Sequence, residues 1–169
     1  MTHEITRIRG NNAAILRRHL SHRPVKLRAL ANELGVVIKV SSLGTGISGQ
    51  ISNEDGVYVI RVNRNEARER QRFTIGHELA HFLLHRDIID SSPNGITDTV
   101  LYRSGNPQQI EYEANRLASE ITMPTALVED ELKRDFQGIV TEATIEALAN
   151  RYEVSKAAME IKLSNFAPA

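Results

Sequence analysis

His77, Glu78 and His81 form the pattern H-E-x-x-H within the run His77-Glu78-Leu79-Ala80-His81. On a helix, four residues advance about 6 Å and overshoot one full turn by about 40°, so both imidazoles project from one face and can grip a single ion. Zinc, at about 2.0–2.1 Å from each ring nitrogen, fits that separation. Glu78 stands one step aside from the ligands, where its carboxylate can orient an attacking water and accept its proton. The chemistry implied is metal-assisted hydrolysis. The plainer reading is two half-buried helix histidines beside a solvated glutamate, and only the rest of the chain can decide between them.

A catalytic zinc needs a third protein ligand and one open position. His85 follows His81 by four residues, but it lies about 12 Å along the axis from His77, too far for both to hold one ion. A later helix offers Glu111-Tyr112-Glu113-Ala114-Asn115. Glu111 and Glu113 are about 200° apart around that helix, so only one of them can face inward. Glu111 shares its face with Asn115 one turn on, which would let Asn115 orient a ligating imidazole while Glu111 binds the metal. Glu113, flanked by Leu117, is the second choice. An oxyanion donor is also needed, and Tyr102, Tyr112 and His85 remain open for it.

Composition limits the alternatives. The 169 residues amount to one domain. Lys+Arg and Asp+Glu stand at 21 each and 41% of residues are hydrophobic, a balance that fits neither a disordered tail nor a general polyanion binder. Without cysteine there is no disulfide, thiolate zinc knuckle, iron–sulfur cluster or cysteine nucleophile, so a metal must rest on His, Asp or Glu. Met1–Asn12 has no apolar signal core and no run of 18 apolar residues occurs, so the expectation is a cytoplasmic protein with no membrane association.

The elements that must position these residues follow from periodicity. An amphipathic helix is expected over Asn11–Ser21 and a second one opened by Pro24 in the first helical position and stopped by Gly35. Val36–Val40 and Val57–Val62 read as strands around a segment punctuated by Gly44, Gly46 and Gly49, giving two or three antiparallel strands. Glu66–His85 is the central helix, broken in pattern only by Gly76. Arg86–Pro107 reads as loop with a possible short strand at Val100-Leu101-Tyr102. Helices then follow over Pro107–Ile121, from Pro124, and as a pair over Thr141–Asn150 and Ser155–Ser164. The fold class is α+β, with a small antiparallel sheet packed on the H-E-x-x-H helix and helical N- and C-terminal regions.

The stretch Arg70-Gln71-Arg72-Phe73-Thr74-Ile75-Gly76-His77-Glu78-Leu79-Ala80-His81-Phe82-Leu83-Leu84-His85 resembles the signature of the ImmA/IrrE family of metallopeptidase-like proteins. Glu111-Tyr112-Glu113-Ala114-Asn115-Arg116-Leu117-Ala118, with Ile121-Thr122-Met123-Pro124 beyond it, is similar to that family's E-x-x-A-N-x-F-A…L-M-P block. The resemblance runs from about Pro24 to Leu163 and includes a Gly-rich hairpin at Gly46-Ile47-Ser48-Gly49. It departs at Leu117, where Phe is common, and at Ile121-Thr122, both packing positions. The resemblance implies a zincin-like core with one zinc held by His77, His81 and Glu111 and with Glu78 as the base. It further implies action on a helix-turn-helix transcriptional repressor, relieved by cleavage, in phage, mobile-element or stress-response circuits.

Other features have plainer readings. Arg61, Arg64, Arg68, Arg70 and Arg72 are interleaved with Glu66 and Glu69 as on a solvated face, although Arg72, beside Phe73, could reach a carboxylate near the site. Residues 141–166 look like a degenerate helix-turn-helix with Glu153 in the turn where Gly is usual. Lys156 and Lys162 set against Glu160 make it a poor reader of DNA, and no direct DNA binding is expected. An extended peptide substrate could pair with the edge of the strand near Val62 or of the one near Leu101. The rival functions are a non-catalytic metal-binding regulator, a toxin–antitoxin-type partner of a DNA-binding protein, and a DNA-binding regulator.

Overall fold

The computed structural model describes residues 2–99 and 108–166. A short 3-10 turn, Glu4–Arg7, leads into α1 (Gly10–His19) and α2 (Leu27–Leu34). Strands β1 (Val36–Ser41), β2 (Ile47–Glu54) and β3 (Val57–Asn63) precede the central helix α3 (Arg68–Leu84). After α3 come α4 (Arg86–Ser91), β4 (Ile96–Thr99) and α5 (Gln108–Thr122). The chain closes with α6 (Thr125–Phe136), α7 (Glu142–Tyr152) and α8 (Lys156–Ser164).

The class is α+β as the pattern implied, and the sheet is mixed. Its order is β1-β3-β2-β4. The β2–β3 hairpin and the β2–β4 pair are antiparallel, whereas β1 lies parallel to β3, with Val36 opposite Tyr58 and Ser41 opposite Asn63. A wholly antiparallel sheet was expected because alternation marks strands without naming their neighbours. β3 is therefore interior and its edge at Val62 is already paired. The edge beside the site is that of β4, a strand described over Ile96–Thr99. Val100, Leu101 and Tyr102 lie outside the described residues.

Two further expectations change. Pro24 is not the first residue of α2, which starts at Leu27 after Lys26 and ends, as the pattern required, at Gly35 in the left-handed region with φ 78°. The segment after α3 is not all loop, because α4 buries Ile89 and β4 buries Ile96.

Among the described residues, buried apolar side chains gather in two clusters. One joins α1, α2, the sheet, α3 and α5 through residues such as Leu16, Leu30, Ile60, Leu79 and Leu117. The other joins Met123 with α6, α7 and α8 through Val128, Leu148, Tyr152 and Met159. Leu117, Ile121 and Thr122, where the family pattern is departed from, are all fully buried. Thr141 and Ser155 cap α7 and α8, each accepting a backbone N–H from three residues on. Glu153 takes the left-handed turn between these helices at φ 54°. Lys162 points inward, 3.3 Å from buried Glu120 and 2.8 Å from Thr125 Oγ1, so it ties α8 to the end of α5. Among the described residues no helix is long and apolar enough to cross a membrane.

Candidate metal centre

The centre depends on how closely α3 and α5 can approach. Gly76 makes this possible: a Cβ there would meet Thr122 Cγ2 at 3.2 Å and the Ala118 carbonyl oxygen at 3.6 Å. With the seam closed at that point, the next residue, His77, faces the start of α5. His77, His81 and Glu111 come together with ligand atoms within 4.8 Å of one another. His77 Nε2 lies 3.1 Å from His81 Nε2. Glu111 places one oxygen 3.1 Å from His77 Nε2 and the other 3.3 Å from His81 Nε2. Donors about 2.1 Å from a shared tetrahedral ion stand roughly 3.4 Å apart, so the spacing fits one small cation.

Both histidines are buried, with relative exposures of 2% and 0%. Burial opposes charge on His77, but the hydrogen bond to Glu111 and the charges of Glu78, Asp98 and Glu111 outweigh it and lift its pKa to about 9. Burial dominates at His81, aided by the charge of His77, and lowers its pKa to about 4. Glu111 is held well below the usual carboxylate range: burial acts against this, but the hydrogen bonds from His77 and His81 win. The pair thus offers one proton for a cation to displace.

Glu78 is fully buried and neither of its carboxylate oxygens has a hydrogen-bond partner among the described residues. Burial pushes its carboxyl far above the normal range, against the nearby His77, with Asp98 and Glu111 adding to the rise. A buried carboxylate with both oxygens unpaired is costly and rare, and it marks a position built for a ligand or reactant. Gly49 on β2 makes room for it: a Cβ there would fall 3.4 Å from Glu78 Oε1, 2.4 Å from Thr74 Cγ2 and 3.1 Å from the Arg61 carbonyl oxygen.

Asn115 takes the place that the helix-face argument gave it, with Oδ1 2.9 Å from His77 Nδ1. Glu113 does not join the cluster. It points to the outer side of α3, accepting from His85 Nε2 at 3.1 Å and pairing with Arg7. His85 stands behind His81, with its Nδ1 2.9 Å from His81 Nδ1, on the side of that ring opposite the Nε2 that faces His77 and Glu111. Tyr112 is 56% exposed and takes no part in the cluster. Tyr102 lies outside the described residues. Arg72 serves elsewhere, donating to the Val25 carbonyl at 3.0 Å and lying 3.5 Å from Glu153.

Sequence reasoning missed Asp98. It forms a second potential metal-binding group with His77 and Glu78, and burial raises its carboxyl pKa. It reaches the site from β4, opposite an irregularity in β2 between Ile47 and Gly49. Such bulges re-aim a side chain and leave no mark in the apolar pattern.

A helix-borne histidine pair closed by a carboxylate from a second helix, on an α+β frame, is the arrangement of a metallopeptidase-type domain. The model of the IrrE N-terminal-like domain, Peptidase_M78, matches residues 31–164, and the chain belongs to this family. Among solved structures, a Mycobacterium tuberculosis transcriptional regulator shares the fold with a TM-score of 0.58 at 16% identity, over 94% of this chain and 46% of that one. The chain thus spans about half the length of that regulator. No curated protein matches the sequence significantly.

Proposed function

We propose that this chain is a zinc-dependent peptidase of the cytoplasm that cleaves, and so inactivates, a helix-turn-helix transcriptional repressor. The observation that carries the hydrolytic part is the convergence of His77, His81 and Glu111 beside the buried, unpartnered Glu78. Two imidazoles and one carboxylate, with a coordination place left over, are the donor set of a catalytic zinc. Zinc held there would supply Lewis-acid polarisation of a carbonyl and compensation for developing charge.

The chain's own residues supply the rest. Glu78, poorly solvated and ready to take a proton, holds the attacking water and passes its proton to the leaving nitrogen. Asn115 fixes the ring of His77. The outer edge of β4, unpaired among the described residues, can take an extended peptide by main-chain pairing next to Asp98. Membership of the IrrE N-terminal-like family supports the choice of a transcriptional repressor as substrate.

The test is to load the purified protein with zinc and incubate it with candidate helix-turn-helix repressors, starting with any encoded by neighbouring genes. The wild type should cut the repressor at a defined bond, while Glu78→Gln should hold the same zinc and leave the repressor whole. Equal cleavage by Glu78→Gln, or stoichiometric binding without any cut by the wild type, overturns the proposal. The second outcome would favour a regulator that acts by titration.

A further inference from the structure

We propose that Arg7, Glu113 and His85 form a one-way hydrogen-bond relay that positions His81 and fixes its tautomer, and so sets how tightly the centre holds its metal. The proposal rests on the reading of His77, His81 and Glu111 as the metal site. It gives a role to a histidine that spacing excludes as a ligand and to a glutamate that points away from the cluster.

The direction of the relay follows from donor counting. His81 turns Nε2 toward His77 and Glu111, so ligation through that nitrogen requires a lone pair there and a proton on Nδ1. His81 Nδ1 lies 2.9 Å from His85 Nδ1. One of these nitrogens must donate and the other accept, and a proton on His81 Nδ1 makes His85 Nδ1 the acceptor. The proton of a neutral His85 is then on Nε2, which faces Glu113 Oε1 at 3.1 Å. An ionised carboxylate can only accept, and Arg7 occupies its other oxygen as a donor. Read inward, the carboxylate forces a proton onto His85 Nε2, which leaves His85 Nδ1 bare. His81 must then carry its proton on Nδ1 and present Nε2 to the metal.

The inner links are shielded from competing water, and only the outer end, Arg7, with its side chain 38% exposed, meets solvent. His81 and His85 have relative exposures of 0% and 6%, and the Glu113 side chain is 15% exposed. The other ligand is held differently. His77 Nδ1 meets Asn115 Oδ1, an amide that can present either donor or acceptor by turning over. The His81 side has no such freedom. The relay also ends on the 3-10 turn at Glu4–Arg7, which is pinned to α5 a second time by Glu4 at 3.3 Å from Arg116. The first residues of the chain thereby reach a metal ligand through three side chains.

Zinc affinity, measured by competition with a chromogenic chelator, tests the relay together with the ring 15N shifts of His81 in the metal-free protein. Glu113→Gln is nearly isosteric, but its amide can donate to His85 Nε2 and so permit the reversed chain with the proton on His81 Nε2. It should weaken zinc binding by about 10–100-fold, the usual effect of losing an outer partner of a ligand, and should move the His81 shifts toward the Nε2–H form. His85→Phe should weaken zinc by a similar factor, and Arg7→Met, at the outer end, by a few-fold. Thermal unfolding of the metal-free variants controls for folding. Should His85→Phe fail to fold, Glu113→Gln and Arg7→Met decide. Wild-type zinc affinity within about twofold in both, or an unchanged His81 tautomer in Glu113→Gln, overturns the relay while leaving the metal site intact. A wild type that takes up no stoichiometric zinc overturns both.

Discussion

Replacing Gly49 by alanine should destabilise the protein without weakening its hold on a metal. The added methyl would fall 2.4 Å from Thr74 Cγ2 and 3.1 Å from the Arg61 carbonyl oxygen. Thr74 is completely buried on α3, and the Arg61 carbonyl belongs to an interior strand, so neither has free space to move into. Overpacking of this kind costs about 1–3 kcal/mol. In a chain of this length each kcal/mol lowers the melting temperature by roughly 2–4 °C, so the loss should be between about 2 and 12 °C. The same methyl would sit 3.4 Å from Glu78 Oε1, an ordinary contact, and none of His77, His81 or Glu111 is among the three atoms nearest to it. Zinc affinity should therefore stay within about twofold of wild type. Thr74→Ser removes the clashing Cγ2, so the double variant should recover at least about 1 kcal/mol relative to the sum of the single effects. Urea denaturation of the four proteins of this cycle measures that coupling. Strictly additive costs, or a Gly49→Ala protein as stable as wild type, would refute the steric account of why β2 carries a glycine beside Glu78.

Other outcomes follow from the same geometry. Asn115→Ala should weaken zinc by about 10–100-fold, because His77 Nδ1 loses its hydrogen-bond partner at 2.9 Å; a chelator titration reads this directly. In the metal-free protein the His77 pKa stands above that of the unfolded chain, so this group's stabilisation is complete below about pH 6.5 and is lost as pH rises through about 9. Zinc must displace the same proton, so its apparent affinity should climb with pH up to about 9, and calorimetry in buffers of different ionisation enthalpy should find a proton released on binding. Lys162→Met should cost about 3–5 kcal/mol by leaving Glu120 buried beside an apolar side chain, and replacing both residues by apolar ones should cost clearly less in the same denaturation assay.

The histidine pair and Glu78 are legible in sequence because they lie within one helix, where spacing alone fixes direction. Glu111 and Asn115 are legible for the same reason, since their four-residue offset puts them on one face. What spacing could not reveal depends on contacts between distant segments. Glu113 and Arg7 are separated by 106 positions, and no local pattern announces that the second carboxylate of α5 turns toward the N-terminal turn. Asp98 depends on a register shift in β2, which changes the direction of a side chain without altering composition. The parallel pairing of β1 with β3 was hidden because β2 intervenes in sequence but not in that part of the sheet. The position of Pro24 misled for a different reason: a proline is compatible with a helix start, but α2 begins only where Leu27 and Leu30 can both be buried.

The inward-facing Lys162 has a mechanical consequence. Glu120, which it grips, and Glu111 are nine residues apart on the same rigid helix, a span of about 14 Å. A load that shifts α8 along α5 would have to break an ionic tie in a dry interior, at one end of the helix whose other end carries Glu111.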